Sequence, residues 1–126
     1  MYTNGAFDLI DRTEAFAKNV CTFISRIPKI LANIEYMKQL ICSSGSVAAN
    51  YIEANESIGD KDFLMRVRIV KKEAKESGLW LRLIEIDGRG NLGKERSKLV
   101  QEAHELTLIF AAINRKKSLK EKKIKA

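Results

Sequence analysis

Few residues in this sequence have side chains suited to catalysis or metal binding. His104 is the single histidine among 126 residues, and the two cysteines are Cys21 and Cys42. A zinc or di-iron site needs several clustered ligands, and His104 has no second ligand at a useful spacing in its segment. Cys–His or Ser–His–Asp catalysis would depend on the same histidine, and no motif marks an oxyanion loop. We therefore expect no enzymatic activity, no metal and no cofactor.

The stretch GRGNLG, at residues 88–93, matches the G-x-G-x-x-G pattern of dinucleotide-binding sites. The preceding residues, LWLRLIEI, alternate well enough to resemble a strand. That site also needs a second strand after the helix, and the lysine-rich sequence that follows cannot form a buried strand. Leu81 and Ile84 instead continue a helical heptad, so the glycines are interpreted as a helix–helix turn.

Five polar residues recur at steps of four and three, a spacing that places them on one face of a helix. We call this set the polar stripe: Gln39, Ser43, Ser46, Asn50 and Glu53. Two apolar stripes flank it at the same period, Leu40, Ser44, Val47, Tyr51, Ala54 and Ile58, and Ile34, Ile41, Ala48 and Asn55. We predict that the polar stripe is mostly buried in the assembled protein and fixes helix register, as polar core residues do in coiled coils.

A second mixed stripe lies in the third segment: Ile69, Glu73, Glu76, Trp80 and Leu83. Buried carboxylates need donors or cations, so we expect Asn50 and Glu53 to meet donors or carboxylates of this segment. Glu73 and Glu76 are the nearest candidates. A ligand or partner site remains the alternative to a structural role. Small residues near the polar stripe would let another helix approach, within the bundle or across a subunit boundary: Ser44, Gly45, Ala48 and Ala49.

Four amphipathic segments must position these residues, at about 7–27, 31–57, 61–86 and 94–116. Pro28 closes the first segment, and Gly59 with Asp60 separates the second from the third. Apolar residues mark one face of segments one, three and four: Phe16, Val20, Phe23 and Ile27; Phe63, Val67, Val70, Ala74, Ser77, Leu81 and Ile84; Leu99, Ala103, Leu106, Phe110 and Ile113. The pattern predicts an all-α fold, an antiparallel up-down-up-down four-helix bundle over 1–116, followed by a lysine-rich tail over 117–126.

The formal net charge of +7 is concentrated in two places. Residues 114–126 carry seven Lys/Arg and one Glu, and residues 61–82 carry seven Lys/Arg and three acids. This distribution predicts an acidic or nucleic-acid partner, and the nine aromatic residues fall mostly on apolar stripes, which favours binding to backbone phosphate over base stacking. The residues predicted to bind are Arg66, Arg68, Lys71, Lys72, Lys75, Arg115, Lys116, Lys117 and Lys120.

The sequence also limits the compartment. No apolar run reaches the roughly 20 residues that span a membrane, and the first residues lack the pattern of a signal peptide. The cysteines are expected to be buried, reduced thiols in helices. We therefore expect a cytoplasmic protein that does not interact with a membrane.

The polar stripe, read as Q-L-x-x-S-x-x-S-V-x-A-N-x-x-E from Gln39, resembles the four-helix bundle family of 23S rRNA-intervening sequence proteins. The stretches RTEAFAKNVCTFISRIPK (12–29) and DFLMRVRIVKKEAKESGLWLRLI (62–84) are similar to the family's first and third helices. The resemblance covers residues 7–115 or so. Cys42 departs from it, because the family often has arginine there, and this chain must replace whatever contact that arginine makes.

The resemblance implies an up-down-up-down bundle without catalytic activity that forms ring-shaped homo-oligomers, often pentamers. Some members are encoded within ribosomal RNA gene insertions, and relatives are accessory proteins of diversity-generating retroelements. Two functions are therefore expected: binding of RNA or another nucleic acid, or an oligomeric scaffold that binds a partner protein, for example a reverse transcriptase.

Overall fold

The structure is a computed structural model that describes residues 5–88 and 90–125. It contains α1 (Gly5–Ile24), α2 (Leu31–Asn55), α3 (Asp60–Leu83) and α4 (Leu92–Lys125), and the described residues include no strand. Consecutive helices pack side by side, and α1 also packs against α4. In the described residues, the backbones of diagonally opposite helices do not approach each other, and such helices meet only through core side chains. Asn33 near the start of α2 contacts Glu85 just after α3, and Leu64 near the start of α3 contacts Asn114 of the second half of α4. These neighbouring helices are therefore antiparallel, as the apolar periodicity predicts.

The predicted apolar faces of α1, α3 and α4 form the core almost residue by residue. Phe16, Val20, Phe23 and Ile27 are all buried, as are Val67 through Ile84 at heptad spacing. At the centre, the rings of Tyr51 and Phe110 meet edge to face with centroids 5.1 Å apart. The prediction that Ile58 continues an apolar stripe of the second helix is wrong, because Ile58 lies in the α2–α3 turn and is 93% exposed.

The turns follow the breaker residues. Gly59 caps α3 with φ of 87°, and Gly88 and Gly90 have φ of 73° and 57°, conformations that favour glycine. The GRGNLG stretch is therefore part of a helix–helix turn and the start of α4, and Leu79–Leu83 of the strand-like stretch belong to α3.

One buried side chain joins two of these connections. The side chain of Asn33, on α2, accepts a hydrogen bond from the Glu85 backbone N–H at 2.8 Å. Its amide group donates to the Pro28 carbonyl at 2.9 Å and to the Glu85 carbonyl at 2.8 Å. Asn33 thus fixes the α1–α2 and α3–α4 connections to each other at one end of the bundle.

Two expectations need correction. Segment four does not end near residue 116, because α4 continues as a helix to Lys125. The lysine-rich region 117–126 is therefore helical as far as it is described.

Cys21 and Cys42 are free, as expected, but both are exposed and not buried. Each lies one residue from a buried position, Val20 or Ser43. Because a helix turns about 100° per residue, the cysteine points away from the core.

Candidate nucleic-acid interface

The basic residues of α3 divide between two sides of that helix. Lys71 and Lys75 line a groove between α3 and α4, and Arg68 is exposed one turn before them. Arg66 lies on the α2 side, where its Nη1 donates to Asn50 Oδ1 at 3.1 Å. Lys72 pairs with Glu76 at 3.8 Å. The nine residues predicted to bind nucleic acid therefore do not form a single surface.

The α3–α4 groove, as we call the cleft lined by Lys71, Lys75, Arg82 and His104, has a volume of about 350 Å³. Ala74, Gly78, Val100, Ala103 and Thr107 form the rest of its lining. A second cleft of about 300 Å³ shares Arg82 and Val100 with it and adds Arg96, Ser97 and Gln101. Together the two clefts form a channel along the bundle whose lining includes five basic or histidine residues and no carboxylate.

The floor of this groove is narrow because small residues face each other there. A Cβ built on Gly78 would lie 3.7 Å from the Ala103 Cβ and 3.2 Å from Arg82 Nη1. The guanidinium of Arg82 therefore folds back along α3 over Gly78. Arg96 is held at the end of the channel, where its Nη1 donates to the Ile84 carbonyl at 2.5 Å and caps the end of α3.

Three carboxylates of α4, those of Glu95, Glu102 and Glu105, lie on its other side, toward α1 and the connection that follows it. Arg12 donates two hydrogen bonds to the Glu102 carboxylate, both at 2.7 Å, and a third to Glu105 at 2.9 Å. Arg26 pairs with Glu95 through one carboxylate oxygen, Oε1. Hydrogen bonding to Glu102 is the main cause that raises the pKa of Arg12. Hydrogen bonds from Gln101 and then Arg12 lower the pKa of Glu105.

The last turns of α4 form a second basic region. Lys117 pairs with Asp60, the first residue of α3, at 3.0 Å, and its ammonium lies 5.5 Å from the centroid of Phe63. The eight helical residues after Lys117 therefore extend about 12 Å beyond the start of α3. Arg115, Lys116 and Lys120 are exposed there, and no ion pair joins them to a described residue.

An open apolar groove of about 770 Å³ lies beside these lysines. Its apolar residues are Phe63, Ile113 and Leu119, and Leu119 is 57% exposed. The rim is basic and consists of Lys116, Lys117, Lys120, Lys122 and Lys123. We call it the lysine-rimmed groove.

The polar stripe joins α2 to α3 through its three central residues. The Ser43 hydroxyl is buried and lies 2.8 Å from the Ser77 hydroxyl. Asn50 donates to Ser46 Oγ at 2.8 Å and accepts from Arg66. These contacts agree with the predicted link between the second and third segments.

The two ends of the polar stripe lie elsewhere in a single subunit. Gln39 and Glu53 are exposed, and the Glu53 carboxylate pairs with no described residue. The expected meeting of Glu53 with Glu73 or Glu76 does not occur within one subunit. Glu73 contributes its backbone carbonyl instead, which accepts from Ser77 at 2.9 Å.

Other chemistry is not assembled in the part of the chain that the structure describes. No group of three or more His, Cys, Asp or Glu side chains there could hold a metal ion. His104 is exposed on the wall of the α3–α4 groove. Within residues 5–88 and 90–125, no helix combines the length and the apolar character needed to cross a membrane.

Three basic or histidine residues of the channel were not predicted from the sequence: Arg82, Arg96 and His104. Arg82 follows Lys75 by seven residues, so the heptad spacing already placed it on the same face of α3. Arg96 and His104 belong to α4, and their position in the groove depends on the register between the two helices. Sequence spacing within one helix cannot supply that register.

The fold is shared with a protein of known structure. That protein, of unknown function, belongs to the S23 ribosomal protein family and comes from Bacteroides thetaiotaomicron VPI-5482. It superimposes with a TM-score of 0.70 at 24% sequence identity over 84% of this chain and 97% of its own. The four-helix bundle is thereby confirmed. No family model and no curated protein matches the sequence.

Proposed function

We propose that the protein is a non-enzymatic, homo-oligomeric bundle that binds RNA, or another nucleic acid, through its basic surfaces. The observation that supports this function most directly is the charge of the last turns of α4. Lys116 and Lys120 are exposed there, and neither pairs with a carboxylate of the residues that the structure describes. Such a surface attracts polyanions by releasing the counterions condensed on them.

Two likenesses support a nucleic-acid role. The polar stripe resembles that of the 23S rRNA-intervening sequence proteins, and the structural neighbour carries the name of a ribosomal protein family. The family resemblance also supports a ring-shaped homo-oligomer, such as a pentamer. Five chains of formal charge +7 would strengthen binding through many phosphate contacts at once.

The test measures the affinity of the full chain for a fluorescent 20-nucleotide RNA of mixed sequence by anisotropy at several salt concentrations. We expect log affinity to fall with log salt by about 0.7 to 0.9 for each phosphate that is neutralised. Lys120, Lys122 and Lys123 changed together to Gln should weaken binding and reduce that slope. Changing Lys18, Lys29 and Lys94 to Gln removes the same charge from exposed sites elsewhere and serves as the control.

Binding that does not change with salt would contradict this function, and so would absence of binding. Equal losses in both triple variants would show that general charge, and not the end of α4, determines the affinity.

The lysine-rimmed groove supports a second candidate, an adaptor for a partner protein. Its apolar floor and basic rim suit an amphipathic helix that has an acidic polar face. By the family resemblance, a reverse transcriptase is one such partner. A protein captured from the native host should remain bound after nuclease treatment and after neutralisation of Lys120, Lys122 and Lys123, but should be lost with Leu119→Asp. Release by nuclease would instead favour RNA binding.

A further inference from the structure

We propose that the α3–α4 groove is a phosphate channel that holds the backbone of one RNA strand, with Lys71, Lys75 and Arg82 as its main contacts. This inference rests on the proposed function and assigns it a site. The interface then includes three residues that were not predicted: Arg82, Arg96 and His104. Arg66 and Lys72 do not belong to it, because their side chains bind Asn50 and Glu76, respectively.

On both α3 and α4, paired carboxylates and groove-lining basic residues lie on different sides of the helix. On α4, Glu102 and Glu105 bind Arg12 of α1, and Glu95 binds Arg26 of the α1–α2 connection, on the side away from the groove. On α3, Glu76 binds Lys72 outside the groove lining. These paired carboxylates lie outside the groove, and its lining consists of positive or neutral side chains. A concave surface lined by one sign of charge focuses the field on an approaching ion.

The basic residues of the groove form a line long enough to follow a nucleic-acid strand. Lys71 and Arg82 are eleven residues apart on α3, so the basic line is about 17 Å long at the helical rise. Several consecutive phosphates of one strand can therefore lie along these residues. Because Gly78 lacks a side chain, the Arg82 guanidinium can lie along the floor, where its planar donors suit a phosphate.

The composition of the lining indicates what is recognised. No Phe, Tyr or Trp lines either cleft of the channel, so stacking of bases on large aromatic rings is not provided. Binding should therefore depend on the backbone and vary little with sequence.

The test compares two double variants of the full-length chain. The groove double combines Lys75→Gln with Arg82→Gln, and the control double combines Lys18→Gln with Lys29→Gln. Both doubles remove two positive charges from exposed residues without an ion pair to any described residue. Arg96 is left unchanged because it caps α3. With the 20-nucleotide RNA at about 0.15 M salt, the groove double should lose about tenfold in affinity and about 1.5 in salt slope. The control should lose less than twofold.

A charge-conserving double, Lys75→Arg with Arg82→Lys, should keep the affinity within about twofold, since the phosphate contact depends first on charge. Equal losses in the groove double and the control double would overturn the channel while the proposed RNA function stands. An affinity that differs strongly between a poly(U) and a poly(A) 20-mer would also overturn it. Absence of RNA binding by the unmodified chain would overturn the proposed function itself.

Discussion

The hydroxyl of Ser43 on α2 lies 2.8 Å from the hydroxyl of Ser77 on α3, and both side chains are buried. Each hydroxyl also has a backbone carbonyl within reach, Leu40 at 3.3 Å for Ser43 and Glu73 at 2.9 Å for Ser77. The pair therefore holds two helices at one register without leaving a polar atom unsatisfied.

A double-mutant cycle on Ser43→Ala and Ser77→Ala should measure this contact. Each single change should cost about 1 kcal/mol in the free energy of unfolding, because the remaining hydroxyl keeps its carbonyl partner. The double change should cost less than the two singles together by about 0.5 to 1 kcal/mol. Urea unfolding supplies the values, and Gln39→Ala, at an exposed end of the polar stripe, is the control. Strictly additive losses would mean that the two hydroxyls do not interact.

The polar stripe shows how far sequence periodicity reaches. Heptad spacing predicted that Asn50 and Glu53 meet groups of the third segment. Within one subunit, Arg66 donates to Asn50, whereas Glu53 is exposed, as is Gln39. A straight α-helix drifts about 20° per heptad from an ideal seven-residue repeat. Over the two heptads of the stripe this drift is small, and the neighbouring stripe from Leu40 to Ala54 stays buried throughout. The exposed ends therefore show that the polar stripe lies at the edge of the buried face of α2.

Contacts that depend on the relative position of two connections or two helices could not be predicted from the sequence. The link from Asn33 to Pro28 and Glu85 depends on how two connections meet, and no local pattern encodes that meeting. The basic face of α3 was visible from the spacing of Lys71 and Lys75, whereas the groove also requires α4 at one register. The helices themselves were predictable because burial follows the apolar period almost residue by residue.

Asn33→Asp should be among the most destabilising conservative changes in the protein. The substitution keeps the acceptor for the Glu85 N–H but replaces the NH₂ group, which donates to two carbonyls, by an oxygen that repels them. Loss of two buried hydrogen bonds with a charge in their place should cost about 3 kcal/mol or more. The urea midpoint measures this, and Asn55→Asp, an exposed position with one bond to Tyr51, is the matched control. Equal midpoints for the two variants would contradict the role given to Asn33.

The Arg12 cluster should make the attachment of α1 dependent on pH. The pKa of Glu105 is lowered in the folded chain, so its contribution is present above the unfolded pKa of about 4.3 and is lost as pH falls through the folded value. Arg12 stays charged throughout, since its pKa is raised. Arg12→Gln should therefore lower the Tm at pH 7 and have progressively less effect below about pH 4.

Thermal unfolding of both chains between pH 3 and pH 8 provides the measurement. Lys38→Gln is the control, because Lys38 forms an exposed ion pair with Glu35 at 3.4 Å on the same helix and such pairs contribute little. A Tm difference between Arg12→Gln and the unmodified chain that stays constant down to pH 3 would show that the carboxylates are not involved.

The exposed face of α2 offers a test of the homo-oligomer. Gly45 lies in the middle of this helix, and a Cβ added there would meet nothing within 4 Å in one subunit. Exposed neighbours on the same face are apolar or small: Ile41, Cys42, Ala49 and Ile52. Of the four small residues predicted to allow close approach, Ser44 and Ala48 are buried within the bundle, whereas Gly45 and Ala49 are exposed. A close approach over Gly45 would therefore have to come from another subunit.

Gly45→Ala and Gly45→Leu separate the two effects. In an isolated subunit, alanine should stabilise the helix by up to about 1 kcal/mol, and leucine has room to extend into solvent. If a second copy packs closely over Gly45, the leucine variant should dissociate to smaller species by native mass spectrometry while its helical circular dichroism is retained. Leu108→Ala, an exposed position on α4, is the control and should leave the mass unchanged. An oligomer of unaltered size in Gly45→Leu would exclude this face of α2 from the subunit boundary.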